Sequence, residues 1–171
     1  IQIASLINQM EQTSAKLIDG LQLVCDSDFN LKPSAKKWSI AQVVDHICLS
    51  SQSIIKALVL DGMKVDRDPA ERIGELKEVF LDFTKTYESP SFIVPKKAIY
   101  NRQELMNDLL RSLQQIHRLM YKTELNILIN HPATHTATGM FTVIYFFRVP
   151  VQPPGNRFPG VRYFFCCIGG I

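Results

Sequence analysis

The segment Lys37-Trp38-Ser39-Ile40-Ala41-Gln42-Val43-Val44-Asp45-His46-Ile47 is the most informative part of this 171-residue sequence. Ser39 and Gln42 have the spacing of a capping box, in which each side chain satisfies a free backbone N–H at a helix start. From Ile40 onward, apolar residues recur every three or four positions, which predicts a helix with one buried face. We therefore expect a sharp helix start at Ser39 and a helix over residues 40–60.

The same periodicity predicts three more helices, over residues 2–25, 70–86 and 101–128. The connection before the last of these should be extended and irregular, because Pro90 and Pro95 disfavour helix at the residues that precede them. Four prolines and one glycine between Pro150 and Pro159 exclude a regular helix there. The predicted fold class is all-α, a helical bundle with an irregular Pro-rich C-terminal tail.

Composition and charge limit the classes of function. An apolar fraction of 46% and a charged fraction of 20% are ordinary for a globular protein, and no apolar run reaches the roughly 18 residues of a membrane-spanning helix. The net charge of +3 comes from Arg148, Arg157 and Arg162, because residues 1–146 hold 16 basic and 16 acidic side chains. A balanced body with a short basic tail is not typical of a nucleic-acid-binding protein.

The cysteines indicate a reducing environment. Cys166 and Cys167 are adjacent and cannot form an ordinary disulfide, and no Cys-x-x-Cys spacing occurs. No basic segment followed by a cleavable apolar core is visible at the N-terminus. We therefore expect a cytoplasmic protein with reduced thiols.

The four histidines are the main candidates for chemistry, since no phosphate-binding loop, dinucleotide fingerprint, Gly-x-Ser-x-Gly or His-Glu-x-x-His motif is present. His46 lies on the flank of the second helix, beside Ser50 and Ser53, where it is either a ligand or base in a cleft or an ordinary boundary histidine. His117 falls within the apolar face of the helix over residues 101–128. It is interpreted as a core residue with one hydrogen-bond partner.

His131 and His135 form the sequence His-Pro-Ala-Thr-His, which places two imidazoles on one face if the segment is helical. They are therefore either metal ligands or polar loop residues. Trp38 is interpreted as a core aromatic residue that holds the loop before the second helix. The pairs Lys36-Lys37 and Lys96-Lys97 are interpreted as solvated charges.

Lys32-Pro33 followed by residues 37–47 resembles the signature of the DinB/YfiT-like superfamily. Further segments are similar to that family in the same order, and they are Ser89-Pro90 to Pro95, Arg102-Gln103-Glu104-Leu105, and His131-Pro132 with Gly139-Met140-Phe141-Thr142. The resemblance covers about residues 1–142. It implies an up-down-down-up four-helix bundle over residues 1–142, with residues 143–171 as a divergent tail in place of the expected last helix.

The resemblance also implies a divalent metal, Zn, Ni, Fe or Mn, held by three histidines. His46 matches the first of them, but the other two family positions fall near Pro153 and Arg157, and no histidine follows His135. The tail is either a frameshifted reading frame or a true divergence that left a metal-free bundle, or else His131 and His135 replace the lost pair. The abrupt change of composition favours a frameshift, and we expect the chain as written to bind divalent metal weakly or not at all.

The activity implied by the resemblance is that of a metal-dependent hydrolase or a low-molecular-weight-thiol transferase, acting on a small-molecule substrate or thiol. Asp45 would be at most an outer partner of the metal ligand His46. The alternative is a non-enzymatic bundle with a structural or small-ligand-binding role. The resemblance also implies a homodimer, although no apolar stripe in this sequence is clearly a dimer face, and we expect no nucleic-acid and no membrane partner.

Overall fold

A computed structural model describes residues 3–35, 37–59, 62–64, 89–122 and 127–129. Its elements in chain order are α1 (Ile3–Gln22), the single-turn helix α2 (Asp26–Phe29), α3 (Ile40–Leu58), β1 (Gly62–Lys64), a 3-10 turn (Ser91–Ile93), α4 (Arg102–Lys122) and β2 (Ile127–Ile129). The described part of the chain is mainly helical, as predicted. None of its helices is both long enough and apolar enough to cross a lipid bilayer.

The long helices α1, α3 and α4 confirm three of the four predicted helices, with ends shifted by a few residues. The prediction that the helix from residue 101 continues to 128 is wrong, because α4 ends at Lys122 and Ile127–Ile129 forms β2. β2 pairs antiparallel with β1, with Met63 opposite Leu128. Three consecutive apolar residues suit a helix face or a strand equally, and the strand is selected by a partner distant in sequence. The all-α class therefore omits a small β-ribbon.

The predicted helix over residues 70–86 and the Pro-rich tail over residues 143–171 lie outside the described residues. The complete four-helix topology therefore remains a prediction.

Helices α3 and α4 run in the same direction. Their N-terminal ends are joined by a hydrogen bond from the Tyr100 hydroxyl to Asp45 Oδ2 at 2.8 Å. The strands β1 and β2, which follow their C-terminal ends, pair with each other. Contacts at both ends thus fix a parallel arrangement, and the interface between these two helices is the most extensive among the described elements.

Helix α1 runs antiparallel to α4. At one end, the guanidinium of Arg102 in the first turn of α4 donates from Nη2 to the carbonyl oxygen of Leu21, at 2.9 Å, in the last turn of α1. Near the other end, the Tyr121 hydroxyl lies 3.5 Å from Glu11 Oε1. The three long helices therefore follow an up-down-down order.

The core lies where these three helices meet. Its fully buried large side chains are Met10, Leu21, Phe29, Val44, Leu109, Ile116 and Met120. The apolar periodicity of residues 101–128 runs through Leu105, Leu109, Leu110, Leu113, Ile116 and Met120, and all of these are buried except Leu110, which is 40% exposed. Since α4 is covered by α1 and α3 on a limited arc, residues at the edge of its apolar stripe remain at the surface.

Candidate functional site

The capping box at the start of α3 is present as predicted. The Ser39 backbone N–H donates to Gln42 Oε1 at 3.1 Å, and the Gln42 backbone N–H donates to Ser39 Oγ at 3.2 Å. Gln42 has a further role, because its Nε2 donates to the carbonyl oxygen of Lys97 at 3.1 Å. The cap therefore fixes the start of α3 and also attaches the connector before α4 to it.

His46 lies deeper in the protein than its position on the flank of α3 predicted. Its side chain is only 5% exposed, so the interpretation as a boundary histidine in contact with water is wrong. The connector that contains Ile93 covers this flank, and His46 Nδ1 lies 2.7 Å from the Ile93 carbonyl oxygen. Trp38 covers another side, with ring centroids 5.1 Å apart and an interplanar angle of 51°. Trp38 itself is partly buried and not fully in the core.

The contact with Ile93 determines the tautomer of His46. A carbonyl oxygen only accepts hydrogen bonds, so Nδ1 must carry the proton and Nε2 of the neutral ring carries the lone pair. Burial lowers the pKa of His46, and the hydrogen bond to Ile93 and the negative charge of Asp45 oppose that shift. A neutral imidazole whose Nδ1–H is held by a backbone carbonyl has the form that histidine takes as a metal ligand.

Ser50 lies one turn beyond His46 on the same face of α3. Its hydroxyl is buried, and within the described residues Ser50 Oγ has no hydrogen-bond partner. Buried hydroxyls nearly always have a partner in the protein, in ordered water or in a ligand. The face of α3 that carries His46 thus has an unsatisfied polar atom beside the imidazole.

Tyr100 was missed by the sequence analysis, although it organises the surroundings of Asp45. Its hydroxyl donates to Asp45 Oδ2 at 2.8 Å and accepts from the backbone N–H of Lys97 at 3.2 Å. Its backbone exchanges two hydrogen bonds with the side chain of Asn30, at 2.9 and 3.0 Å. Burial and the hydrogen bond to Asp45 raise the pKa of Tyr100 to about 12. No local pattern in the sequence indicates the contacts of Tyr100 with Asp45 and Asn30, which join residues 55 and 70 positions apart.

Cys48 also lies on α3 close to this site, but its chemistry is unreactive. The thiol is buried, and burial together with the negative charges of Asp45 and Asp108 raises its pKa to about 12. A thiol with such a pKa is almost entirely protonated near neutral pH and is therefore a poor nucleophile. We assign Cys48 a packing role.

His117 differs from its predicted role in two respects. It is only partly buried, and its Nε2 is a buried atom without a hydrogen-bond partner among the described residues. Burial lowers its pKa, and the charge of Glu11 on α1 opposes the shift. His117 therefore lies at the packing surface of α4 with α1, away from the face of α3 that carries His46.

His131 and His135 lie outside the described residues, so their predicted convergence with His46 stays a prediction. In the described ranges, no group of three or more His, Cys, Asp or Glu side chains could hold a metal ion. A zinc-type site needs at least three protein ligands. His46 fits the role of one such ligand, and residues 3–35, 37–59, 62–64, 89–122 and 127–129 do not complete a site by themselves.

Comparison with known proteins provides the family. A model of the DinB superfamily matches residues 7–146, which includes most of α1, all of α3 and α4, and the whole segment around His46. No match was found among curated proteins or among solved structures. The family match covers most of the chain, and it agrees with the predominantly helical fold and with the resemblance carried by residues 37–47. The chain belongs to the DinB superfamily.

Proposed function

We propose that this protein is a DinB-type metal-dependent hydrolase or low-molecular-weight-thiol transferase whose metal site is incomplete in the chain as written. The observation that carries the proposal is the contact between His46 Nδ1 and the Ile93 carbonyl oxygen at 2.7 Å. It gives His46 the tautomer and the fixed ring orientation of a metal ligand, while burial lowers the pKa of His46 and so favours the neutral ring. The unsatisfied hydroxyl of Ser50 on the same face supports a polar ligand beside the imidazole.

His46 would hold the ion through Nε2, and His131 and His135 are the candidates for the remaining protein ligands. A divalent ion of Zn, Ni, Fe or Mn, when bound, supplies Lewis-acid activation of a water or a thiol. The chain's own contribution is to orient and bury the imidazole through Ile93 and Trp38, which restricts access of bulk water to the site. Because the two histidine positions that the family expects after residue 146 hold no histidine, we propose weak binding of the ion.

Metal titration of the purified full chain tests this proposal, with Zn²⁺ and Ni²⁺ added to wild type and to three variants. We expect weak binding to the wild type that His46→Ala abolishes. The double variant His131→Ala/His135→Ala should weaken binding if those residues supply ligands. His117→Ala is the matched control, because His117 lies on the α1-facing side of α4, and it should leave the affinity unchanged.

Two results would contradict the proposal in different ways. Tight stoichiometric binding that depends on all three residues would show a complete site and overturn the claim of weak binding. Binding that is unaffected by His46→Ala would overturn the assignment of His46 as a ligand. Circular dichroism of each variant confirms that the helices are retained.

A non-enzymatic bundle with a structural or small-ligand-binding role is the second candidate. The observation in its favour is that Asp45, the carboxylate nearest to His46 in sequence, accepts a hydrogen bond from Tyr100 and thereby stabilises the connector. Hydrolysis of small ester and amide substrates and transfer of small thiols, assayed with and without added metal, separate the two candidates. Turnover that His46→Ala removes favours the enzyme.

A further inference from the structure

Two loops lie side by side at the end of the bundle where α3 and α4 begin. One loop follows α2 and contains Leu31 and Lys32, and the other precedes α4 and contains Lys96, Lys97 and Ile99. All five of these side chains are exposed, with Leu31 at 58% and Ile99 at 77%. We call this set the lysine–aliphatic patch.

Hydrogen bonds hold the two halves of the patch together. Asn30, which precedes Leu31, exchanges two hydrogen bonds with the backbone of Tyr100, which follows Ile99. The carbonyl oxygen of Lys97 is bound by Gln42 Nε2 at 3.1 Å. Leu31 and Ile99 are therefore each adjacent in sequence to a residue of the Asn30–Tyr100 contact. This contact fixes the position of the two loops relative to each other.

The charged residues of the patch itself are all lysines. In the two loops, the described residues 31–35, 37–38 and 89–100 contain four lysines and no acidic residue, and Lys32, Lys96 and Lys97 are exposed. The nearby carboxylate of Asp26 is paired with Arg102 at 2.5 Å, so it does not offset the lysines. An exposed aliphatic pair with exposed lysines close to it in both loops is complementary to a surface that is apolar beneath a negatively charged layer.

We propose that the lysine–aliphatic patch docks this protein onto an anionic lipid bilayer. Leu31 and Ile99 would enter the boundary between headgroups and acyl chains, while the lysine ammonium groups remain at the level of the lipid phosphates. The patch contains lysine and no arginine. Lysine ammonium groups are point charges that suit a diffuse layer of lipid phosphates, whereas the planar guanidinium of arginine suits bidentate pairing with one fixed carboxylate. None of the five patch residues is aromatic, so the patch itself offers no ring on which bases of single-stranded nucleic acid stack.

This inference differs from the sequence-based expectation that the protein has no membrane partner. That expectation rested on the lack of an apolar run long enough to span a bilayer. Contact with one face of a bilayer requires only a few apolar side chains and a local excess of positive charge. The inference is also independent of the metal site, since none of the patch residues is a proposed ligand.

Co-sedimentation of the full chain with vesicles tests the proposal. Vesicles of phosphatidylcholine alone are compared with vesicles of phosphatidylcholine mixed with phosphatidylglycerol, at low and high salt. We expect binding to the mixed vesicles only, reduced by salt. The variant Lys32→Gln/Lys96→Gln/Lys97→Gln should lower the partition coefficient by about fivefold for each lysine removed.

Matched controls separate the patch from general charge and general apolarity. The variant Lys16→Gln/Lys56→Gln/Lys122→Gln removes the same charge from exposed lysines elsewhere on the helices and should bind almost as wild type. Leu31→Ser/Ile99→Ser should weaken binding, whereas Val59→Ser, at an exposed aliphatic residue just beyond the opposite end of α3, should not. Thermal melts confirm that all variants are folded.

Several outcomes would overturn the proposal. Equal losses in the two triple-lysine variants would show diffuse charge attraction with no docking surface. Equal binding to neutral and anionic vesicles, or no binding to either, would exclude an anionic bilayer as the partner. Binding of soluble polyglutamate through the same lysines, in the absence of vesicle binding, would assign the patch to an acidic protein instead.

Discussion

Two side chains at the start of α3, those of Ser39 and Gln42, stabilise the first turn of the helix. Ser39 Oγ and the Gln42 side chain satisfy each other's backbone N–H groups. We expect Ser39→Ala to lower the free energy of unfolding by about 1 kcal/mol, the usual value of a lost N-cap. Urea titrations of the variant and of wild type measure this difference. Ser34→Ala is a control at an exposed serine of the preceding loop, and an equal loss in both variants would contradict the role of the cap.

Two residues near Asp45 should make the protein sensitive to alkali. Tyr100 and Cys48 have ordinary pKa values of 10.0 and 9.0 in the unfolded chain, and both pKa values rise to about 12 in the fold. The unfolded chain therefore loses these protons at lower pH than the folded protein, and the folded state is progressively disfavoured between about pH 9 and pH 12. The stabilising contribution is complete below pH 9.

We expect the free energy of unfolding, measured by urea titration in the presence of a reductant, to fall across that pH range. Tyr100→Phe and Cys48→Ala should each make the decline shallower, because each removes one of the two titrating groups. Tyr100→Phe should also destabilise the protein near neutral pH by about 1–2 kcal/mol, since Asp45 loses its phenol partner. Identical slopes in wild type and both variants would contradict the linkage.

At the scale of elements, one side chain joins the start of α4 to the end of α1. Arg102 donates to the carbonyl oxygens of Leu21 and Val24, at 2.9 and 2.6 Å, and thereby adds a partner at the end of α1, where carbonyl groups lack the regular helical hydrogen bonds. It also pairs with Asp26, whose side chain is 89% exposed. The pairing with an exposed carboxylate contributes little, whereas the bonds to carbonyl groups are charge-assisted and partly buried.

We therefore expect Arg102→Ala to lower the free energy of unfolding by about 2 kcal/mol and Asp26→Asn by less than about 0.5 kcal/mol. Arg102→Lys should recover only part of the loss, because an ammonium group cannot reach two carbonyl oxygens in the manner of a guanidinium fork. Denaturant titrations of the three variants give these values. A loss in Asp26→Asn as large as that in Arg102→Ala would assign the effect to the ion pair instead.

At the scale of the whole molecule, the interface between the parallel helices α3 and α4 forms the centre of the described fold. Leu109 is fully buried there, and its neighbour Leu110 is partly exposed. We expect Leu109→Ala to cost about 2–5 kcal/mol, because it leaves a cavity in a packed core, and Leu110→Ala to cost about 1 kcal/mol or less. Thermal and urea unfolding of the two variants compare the same chemical change at adjacent positions, and similar losses would contradict the assigned orientation of α4.

Local patterns in the sequence were sufficient for the three long helices of the described residues and for the family. The capping box at Ser39 and the three- to four-residue spacing of apolar side chains depend on contacts within a few residues, so they predict α1, α3 and α4 without knowledge of distant partners. The motif around Trp38 and His46 likewise lies in one continuous segment, and the family comparison agrees with it over residues 7–146.

The tertiary structure decided what depends on residues far apart in the chain. The burial and tautomer of His46 follow from a carbonyl group 47 positions away, and the strand at Ile127–Ile129 follows from pairing with Gly62–Lys64. The lysine–aliphatic patch likewise exists because Asn30 and Tyr100 bring two loops together. Sequence periodicity indicates which side of one helix or strand is apolar. It contains no information on which distant segment covers a polar flank of that helix or supplies a hydrogen-bond partner. Those contacts are determined by packing of the whole chain.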